Sequence, residues 1–134
     1  MTKALTVLAS LSAAAVLAAT PVLAGKRMTG EEELAKMLEG RTAGAPKSCL
    51  STSSVGGSMT VIDRTAIVYR SGSRLWVNRT AHPRSLRDDD VMLIERFGGS
   101  QLCRNDSIKM LDRSTGMLND IVFLGEFVPY EKVS

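Results

Sequence analysis

The chain has 134 residues, of which 17 are lysine or arginine and 14 are aspartate or glutamate, giving a formal net charge of +3. This length fits one ordinary domain. Basic and acidic residues are interspersed without a basic block, so the charge indicates a mixed solvated surface and gives no support for a nucleic-acid partner.

The first 24 residues have the pattern of a secretory signal peptide. Lys3 precedes an uncharged, alanine-rich run over residues 4–19, and Val22 and Ala24 occupy the small-residue positions of a cleavage site. A transmembrane anchor is disfavoured because the run is shorter than the ~20 residues that cross a bilayer. We therefore expect cleavage after Ala24, a mature chain that starts at Gly25 without a stable membrane span, and a periplasmic or secreted location.

Residues 25–46 are predicted to form one short helix followed by a linker. Thr29 and Glu32 have the spacing of a capping box, which marks a helix N-terminus. Leu34 and the apolar residues one turn later fall on one face. Because so short a helix is marginal alone, we expect residues 30–39 to dock on the body of the same chain.

Residues 47–134 are predicted to form a β domain, because segments rich in Val, Ile, Thr and aromatic residues alternate with Gly, Asn, Asp and Ser turns. We expect a mainly β fold with at least five strands after residue 48, arranged as a small antiparallel barrel or sandwich whose open end or edge the helix covers. The predicted strands cover residues 59–63, 65–70, 74–78, 91–97, 107–111 and 121–128. The candidate inward residues are Ile67, Tyr69, Leu75, Val77, Ile121 and Phe123.

Cys49 and Cys103 are the only two cysteines. An even count in an exported chain indicates a disulfide, with Cα atoms within about 7 Å of each other. A redox enzyme would need a Cys-x-x-Cys motif, which is absent, and the single histidine, His82, cannot complete a metal site. We therefore expect a disulfide that staples the β domain, and no metal or cofactor site.

Four short motifs resemble a bacterial family of exported proteins known as domain of unknown function 6491. The resemblance covers roughly residues 47–128 and implies no known activity. The motifs are Cys49 with Leu50, "WVN" at 76–78, "LCRND" at 102–106 and "LGEF" at 124–127.

The chain departs from that family's pattern in two ways. Pro83 and Val122 stand where the pattern has two further cysteines, and both cysteines are missing together, as expected if they bond to each other in relatives. The resemblance thus also implies that Cys49 and Cys103 form the remaining disulfide. Asn105 replaces a glycine, a mild change if the backbone there is left-handed.

The segment 81–90, "AHPRSLRDDD", carries the best candidates for chemistry. A small hydrolase could use His82 with a nearby serine or aspartate, although the chain has no Gly-x-Ser-x-Gly nucleophile elbow. A calcium loop is disfavoured because Asp88, Asp89 and Asp90 are contiguous and cannot easily all face one ion.

Trp76, the only tryptophan, alternates with Leu75 and Val77 and so lies on the opposite face of its strand. It either packs under the helix or is exposed beside Arg74 and Asn78, where it would mark a partner surface. We favour a non-catalytic binding or accessory module of the cell envelope that presents one sheet face, with Trp76 as anchor, to an envelope protein or a small ligand. The alternative is the hydrolase that uses His82.

Overall fold

The computed structural model describes residues 25–55, 58–95 and 99–134. The expected signal peptide at residues 1–24 lies outside this range. No helix within the described residues combines the length and apolar character needed to span a membrane.

The fold is mainly β and antiparallel, as predicted. Its helices are α1 (Gly30–Met37) and α2 (Thr52–Val55), and a 3-10 turn covers Pro83–Ser85. Its strands are β1 (Arg41–Ala43), β2 (Cys49–Ser51), β3 (Ser58–Ile62), β4 (Ala66–Ser71), β5 (Arg74–Asn78), β6 (Val91–Leu93), β7 (Gln101–Cys103), β8 (Ser107–Leu111), β9 (Leu118–Phe123) and β10 (Phe127–Lys132).

The strands form three sheets arranged like a sandwich. The largest has the order β1-β10-β5-β4-β3, a second consists of β2 and β7, and the third has the order β6-β8-β9. Residues 41–43, expected to belong to a linker, instead form β1 and pair with β10. β1, β2 and β7 have three residues each and contain no run of three apolar residues, unlike the equally short β6, and so they were not predicted.

The five-stranded sheet is covered on both faces. On one face, Leu34 of α1 packs with Ile62, Ala66, Val68, Leu75 and Val77. On the other, Ile67, Tyr69, Trp76 and Phe127 of this sheet pack with apolar residues from the smaller sheets and loops, among them Leu50, Leu102, Ile108, Met110, Val122 and Leu124. Burial on two sides explains why β4 begins with four consecutive buried residues.

Helix α1 is held at its first turn. The Thr29 hydroxyl accepts a hydrogen bond from the Glu32 amide at 3.3 Å, and the Glu32 carboxylate accepts one from the Thr29 amide at 2.7 Å, so the predicted capping box is confirmed. Gly30 fits here because a Cβ would collide with the Thr65 hydroxyl and the Asp63 carbonyl. The glycine therefore lets the helix start lie directly against the turn between β3 and β4.

The segment predicted as one strand over residues 121–128 is two strands, broken between Phe123 and Phe127. The predicted inward positions Ile121 and Phe123 are wrong, since these side chains are 39% and 46% exposed. The pairing of Ile108 with Val122 instead places Val122 in the core. Because residues 121–124 are all apolar, alternation alone could not decide which pair faces inward.

The predicted disulfide joins Cys49 of β2 to Cys103 of β7. The two residues lie directly opposite each other in this sheet, with Cα atoms 4.0 Å apart. Asn105, which follows β7, has a φ of +71° and is therefore left-handed, as its replacement of glycine requires. The disulfide fixes the pairing of two strands that are too short to be stable alone.

Candidate functional site

The expected partner surface around Trp76 is not an exposed one. Trp76 is 4% exposed, and it faces the smaller sheets, while α1 lies on the opposite face of the five-stranded sheet. The alternation with Leu75 and Val77 was predicted correctly. The ring is neither under the helix nor exposed, so both proposed positions are wrong. The order of the strands in the sheets decides what covers each face, and the alternation of residues does not reveal that order.

Asn78 is fully buried and serves the backbone. Its side-chain amide donates to the Gly125 carbonyl at 2.8 Å, and its side-chain oxygen accepts from the Gly125 amide at 2.9 Å. Close by, the Asn105 amide donates to the Leu124 carbonyl, and the Leu124 amide donates to the Asp106 carbonyl, both at 2.9 Å. Three of the motifs that carry the family resemblance, "WVN", "LCRND" and "LGEF", thus contact one another here and have structural roles.

Arg74 is the exposed member of the predicted surface. It forms an ion pair with Glu131, and its guanidinium carbon lies 5.5 Å from the centre of the Trp76 ring, as does the ammonium of Lys47. These groups and Lys132 line a shallow cleft of about 470 Å³. The two cations lie over the ring of Trp76 and stabilise it by cation–π attraction, which is a structural role.

His82 lies on an exposed loop before the 3-10 turn. Within the described residues, its imidazole makes no hydrogen bond to a serine or a carboxylate. Nearby, a hydrogen bond from the Ser85 hydroxyl is the main cause that lowers the pKa of Asp120, with smaller contributions from the Ile121 amide and His82. Within the described residues, no hydrogen bond joins Ser85 to the imidazole, so the serine lacks the base that would have to activate it.

Two of the three aspartates of the same segment have separate partners. Asp89 pairs with Arg87 at 3.2 Å, and Asp90 is buried and accepts from the Asn119 amide at 2.8 Å. No group of three or more potential metal ligands occurs among the described residues. The larger surface cleft, about 1030 Å³, is lined partly by this segment, and pairs such as Arg87 with Asp89 and Arg64 with Asp63 neutralise much of its charge internally.

The strongest candidate site is the outer face of the β6-β8-β9 sheet. The inner face of this sheet supplies Ile108, Met110 and Val122 to the core. Strand alternation and register place six apolar residues on the opposite, solvent-facing side, and we call this set the apolar face. It consists of Val91, Leu93, Leu111, Leu118, Ile121 and Phe123.

The apolar face is more exposed than a solvated sheet would normally allow. Five of its six members are between 39% and 51% exposed, and Met117, in the turn before β9, is 68% exposed. Antiparallel sheets that face water on one side alternate apolar and polar residues, whereas strands covered on both sides are apolar throughout. Here the solvent side carries six apolar residues beside the polar Ser107 and Lys109, and exposed apolar patches of this kind mark interaction sites.

One ion pair belongs to the apolar face. Lys109 lies on β8 between Leu93 and Ile121 in the register, and its ammonium is 2.7 Å from the Glu95 carboxylate. Both side chains are partly exposed. The face therefore carries no net charge of its own, although the chain as a whole is basic.

The sequence analysis missed this surface, although a signal for it was present. Residues 91–94, "VMLI", are apolar at every position, and residues 121–124, "IVFL", repeat the pattern. Alternation identifies one inward face for each strand, and it does not show whether the other face is covered or exposed. Comparison of the chain with known protein families, with curated proteins and with solved structures found no match. The resemblance to domain of unknown function 6491 therefore stays a prediction.

Proposed function

We propose that this chain is an exported, non-catalytic binding module of the cell envelope that docks on a protein partner through the apolar face. The observation that carries the proposal is the sheet itself, which is apolar on both sides and covered on one. The disulfide adds to the case for export, because such bonds persist in oxidising compartments. The signal-peptide pattern of residues 1–24 points the same way.

The chemistry of the face specifies the partner. Because Lys109 is already neutralised by Glu95, an additional charge on the partner would be buried without a counter-ion, which is costly. A partner surface that is apolar, and either uncharged or carrying its own balanced ion pair, suits this face best. None of the six residues lines either of the two clefts described above, which favours a protein surface over a small ligand, since small ligands bind in concave sites.

The hydrolase that would use His82 has weaker support. A nucleophile must lie within hydrogen-bond reach of its base, and among the described residues no serine or carboxylate is hydrogen-bonded to the His82 imidazole. The binding module therefore remains the better interpretation.

The proposal is tested by photo-crosslinking in cells that express the full chain. A photoreactive phenylalanine analogue replaces Phe123 in one variant and Ile121 in a second, while the control carries it at Val133, which is 67% exposed but lies outside the apolar face. We expect a discrete protein adduct from positions 121 and 123 and none from 133. Absence of an adduct from the face, or an equal adduct from the control, would overturn the proposal.

A further inference from the structure

We infer that the partner on the apolar face is a second copy of this chain, so that two copies pack sheet against sheet about a two-fold axis. The inference rests on the proposed function and names the occupant of the same surface. Three properties of the face support it: its shape, its charges and its area.

The shape of the face suits self-association. Its exposed residues come from three adjacent antiparallel strands, so they form one continuous sheet surface. Two such surfaces can pack about 10 Å apart with their side chains interleaved, as in a β-sandwich. Interfaces between identical subunits are also the more apolar class of protein interface.

The charges of the face are self-complementary. In a two-fold symmetric interface, every contact occurs twice. If one residue of the first copy contacts a different residue of the second copy, the same two positions also meet with the copies exchanged. Lys109 and Glu95 lie 2.7 Å apart on the same face. Rotation of one copy onto the other can therefore place each ammonium beside the other copy's carboxylate, and four charges then alternate in sign.

The area predicts a weak dimer. Half-exposed side chains of this size leave roughly 500 Å² of apolar surface per copy, so complete coverage of both faces buries at most about 1000 Å², the lower limit for a specific interface. We therefore expect the monomer to predominate in dilute solution and the dimer to form as the concentration rises.

The first experiment measures the oligomeric state of the purified protein by sedimentation velocity from about 1 µM to about 1 mM, a range around the affinity typical of small interfaces. We expect the wild-type mass to double across the series. Ile121→Glu should stay monomeric, and its fold should survive because the new carboxylate lies opposite Lys109 on the neighbouring strand. Val133→Glu, the matched control, should dimerise like the wild type.

The second experiment tests the charges. Lys109→Glu and Glu95→Lys each place two like charges on the face, so each variant alone should dimerise at least tenfold more weakly than the wild type. An equimolar mixture should recover the dimer, because each variant then meets its opposite. Circular dichroism and thermal unfolding establish that all variants are folded.

The outcomes separate this inference from the proposed function. A wild type that is monomeric throughout the series, or a mixture that does not recover the dimer, overturns the second copy as occupant. If crosslinking from positions 121 and 123 then captures a different protein, the binding function stands with another partner. If it captures none, both fail.

Discussion

The side-chain amide of Asn78 makes two hydrogen bonds with the backbone of Gly125, one to its carbonyl at 2.8 Å and one from its amide at 2.9 Å. The asparagine ends β5, and the glycine lies between β9 and β10. This contact therefore anchors the chain where it leaves the three-stranded sheet and enters the five-stranded one. It holds the sheet that carries the apolar face against the rest of the fold.

Replacement of Asn78 with alanine should destabilise the protein strongly. It leaves two backbone groups of Gly125 without partners beside a buried cavity, and we expect a loss of about 2–4 kcal/mol in the free energy of unfolding. Urea unfolding measures this loss. Gln101→Ala, which removes an exposed amide, serves as the control and should cost less than about 0.5 kcal/mol. Equal losses in the two variants would contradict the structural role of Asn78.

Replacement of Gly125 with alanine should also destabilise the fold, for a steric reason. A Cβ at this position would collide with the Arg79 carbonyl, and backbone cannot move aside as a flexible side chain can. We expect a loss of at least about 2 kcal/mol. Gly99→Ala is the matched control, because the nearest atom to its Cβ, the Gln101 carbonyl oxygen, is 3.8 Å away. Thermal unfolding of both variants decides whether close backbone approach requires the glycine.

Local interactions were predictable from the sequence. The capping box of Thr29 and Glu32 depends on residues three apart, and it is present as predicted. The residues "SGS" at 71–73 likewise indicate a tight hairpin turn, and such a turn joins β4 to β5, with Gly72 at a φ of +60° and Ser71 paired with Arg74. In both cases, the residues that determine the structure are neighbours in the chain.

Features that depend on distant pairing were not predictable in the same way. The alternation around Trp76 gave its side of the strand, but the layer that covers this side comes from β2, β7, β8 and β9, far away in sequence. The apolar run at residues 121–124 likewise allowed either face to be buried, and only the pairing of β9 with β8 selects Val122. The candidate site was missed for this reason.

The burial of Trp76 predicts its fluorescence. Because the ring is 4% exposed, acrylamide should quench native fluorescence several-fold less than that of the protein unfolded in guanidinium chloride. Trp76→Ala should cost about 3–5 kcal/mol, as large aromatic truncations in cores do. As the only tryptophan, Trp76 gives an unambiguous signal. Equal quenching in the native and unfolded states would show that the ring is exposed in the native protein.

The disulfide should contribute much of the stability of the domain. It closes a loop with a sequence separation of 54 residues, for which the chain-entropy model gives about 4 kcal/mol. Cys49→Ala and Cys103→Ala should lower the melting temperature by similar amounts, and the double variant should be no worse, since all lose the same bond. Reductant should destabilise the wild type but leave the double variant unchanged. Two titratable thiols in the native, oxidised protein would contradict the bond.

The ion pair between Glu31 and Arg79 should make the docking of α1 depend on pH. The two guanidinium nitrogens of Arg79 donate to the Glu31 carboxylate at 2.6 and 2.9 Å, and these hydrogen bonds lower the pKa of Glu31 below its ordinary value of 4.5. A carboxylate whose pKa is lowered by folding stabilises the native state above the unfolded pKa, and this contribution is lost as the pH falls through the folded pKa. Both side chains are more than half exposed, so the contribution should be small, about 0.2–1 kcal/mol, and weaker at high salt.

Arg79→Met tests this pair while it keeps an apolar stem of similar length. We expect the pKa of Glu31, followed by carbon-detected NMR of its carboxyl group, to rise toward 4.5 in the variant. The wild type should also lose more stability than the variant between pH 5 and about pH 3, because only the wild type has a paired carboxylate to protonate. An unchanged Glu31 pKa in Arg79→Met would show that the two side chains do not interact in solution, and that α1 is held by its capping box and the packing of Leu34 alone.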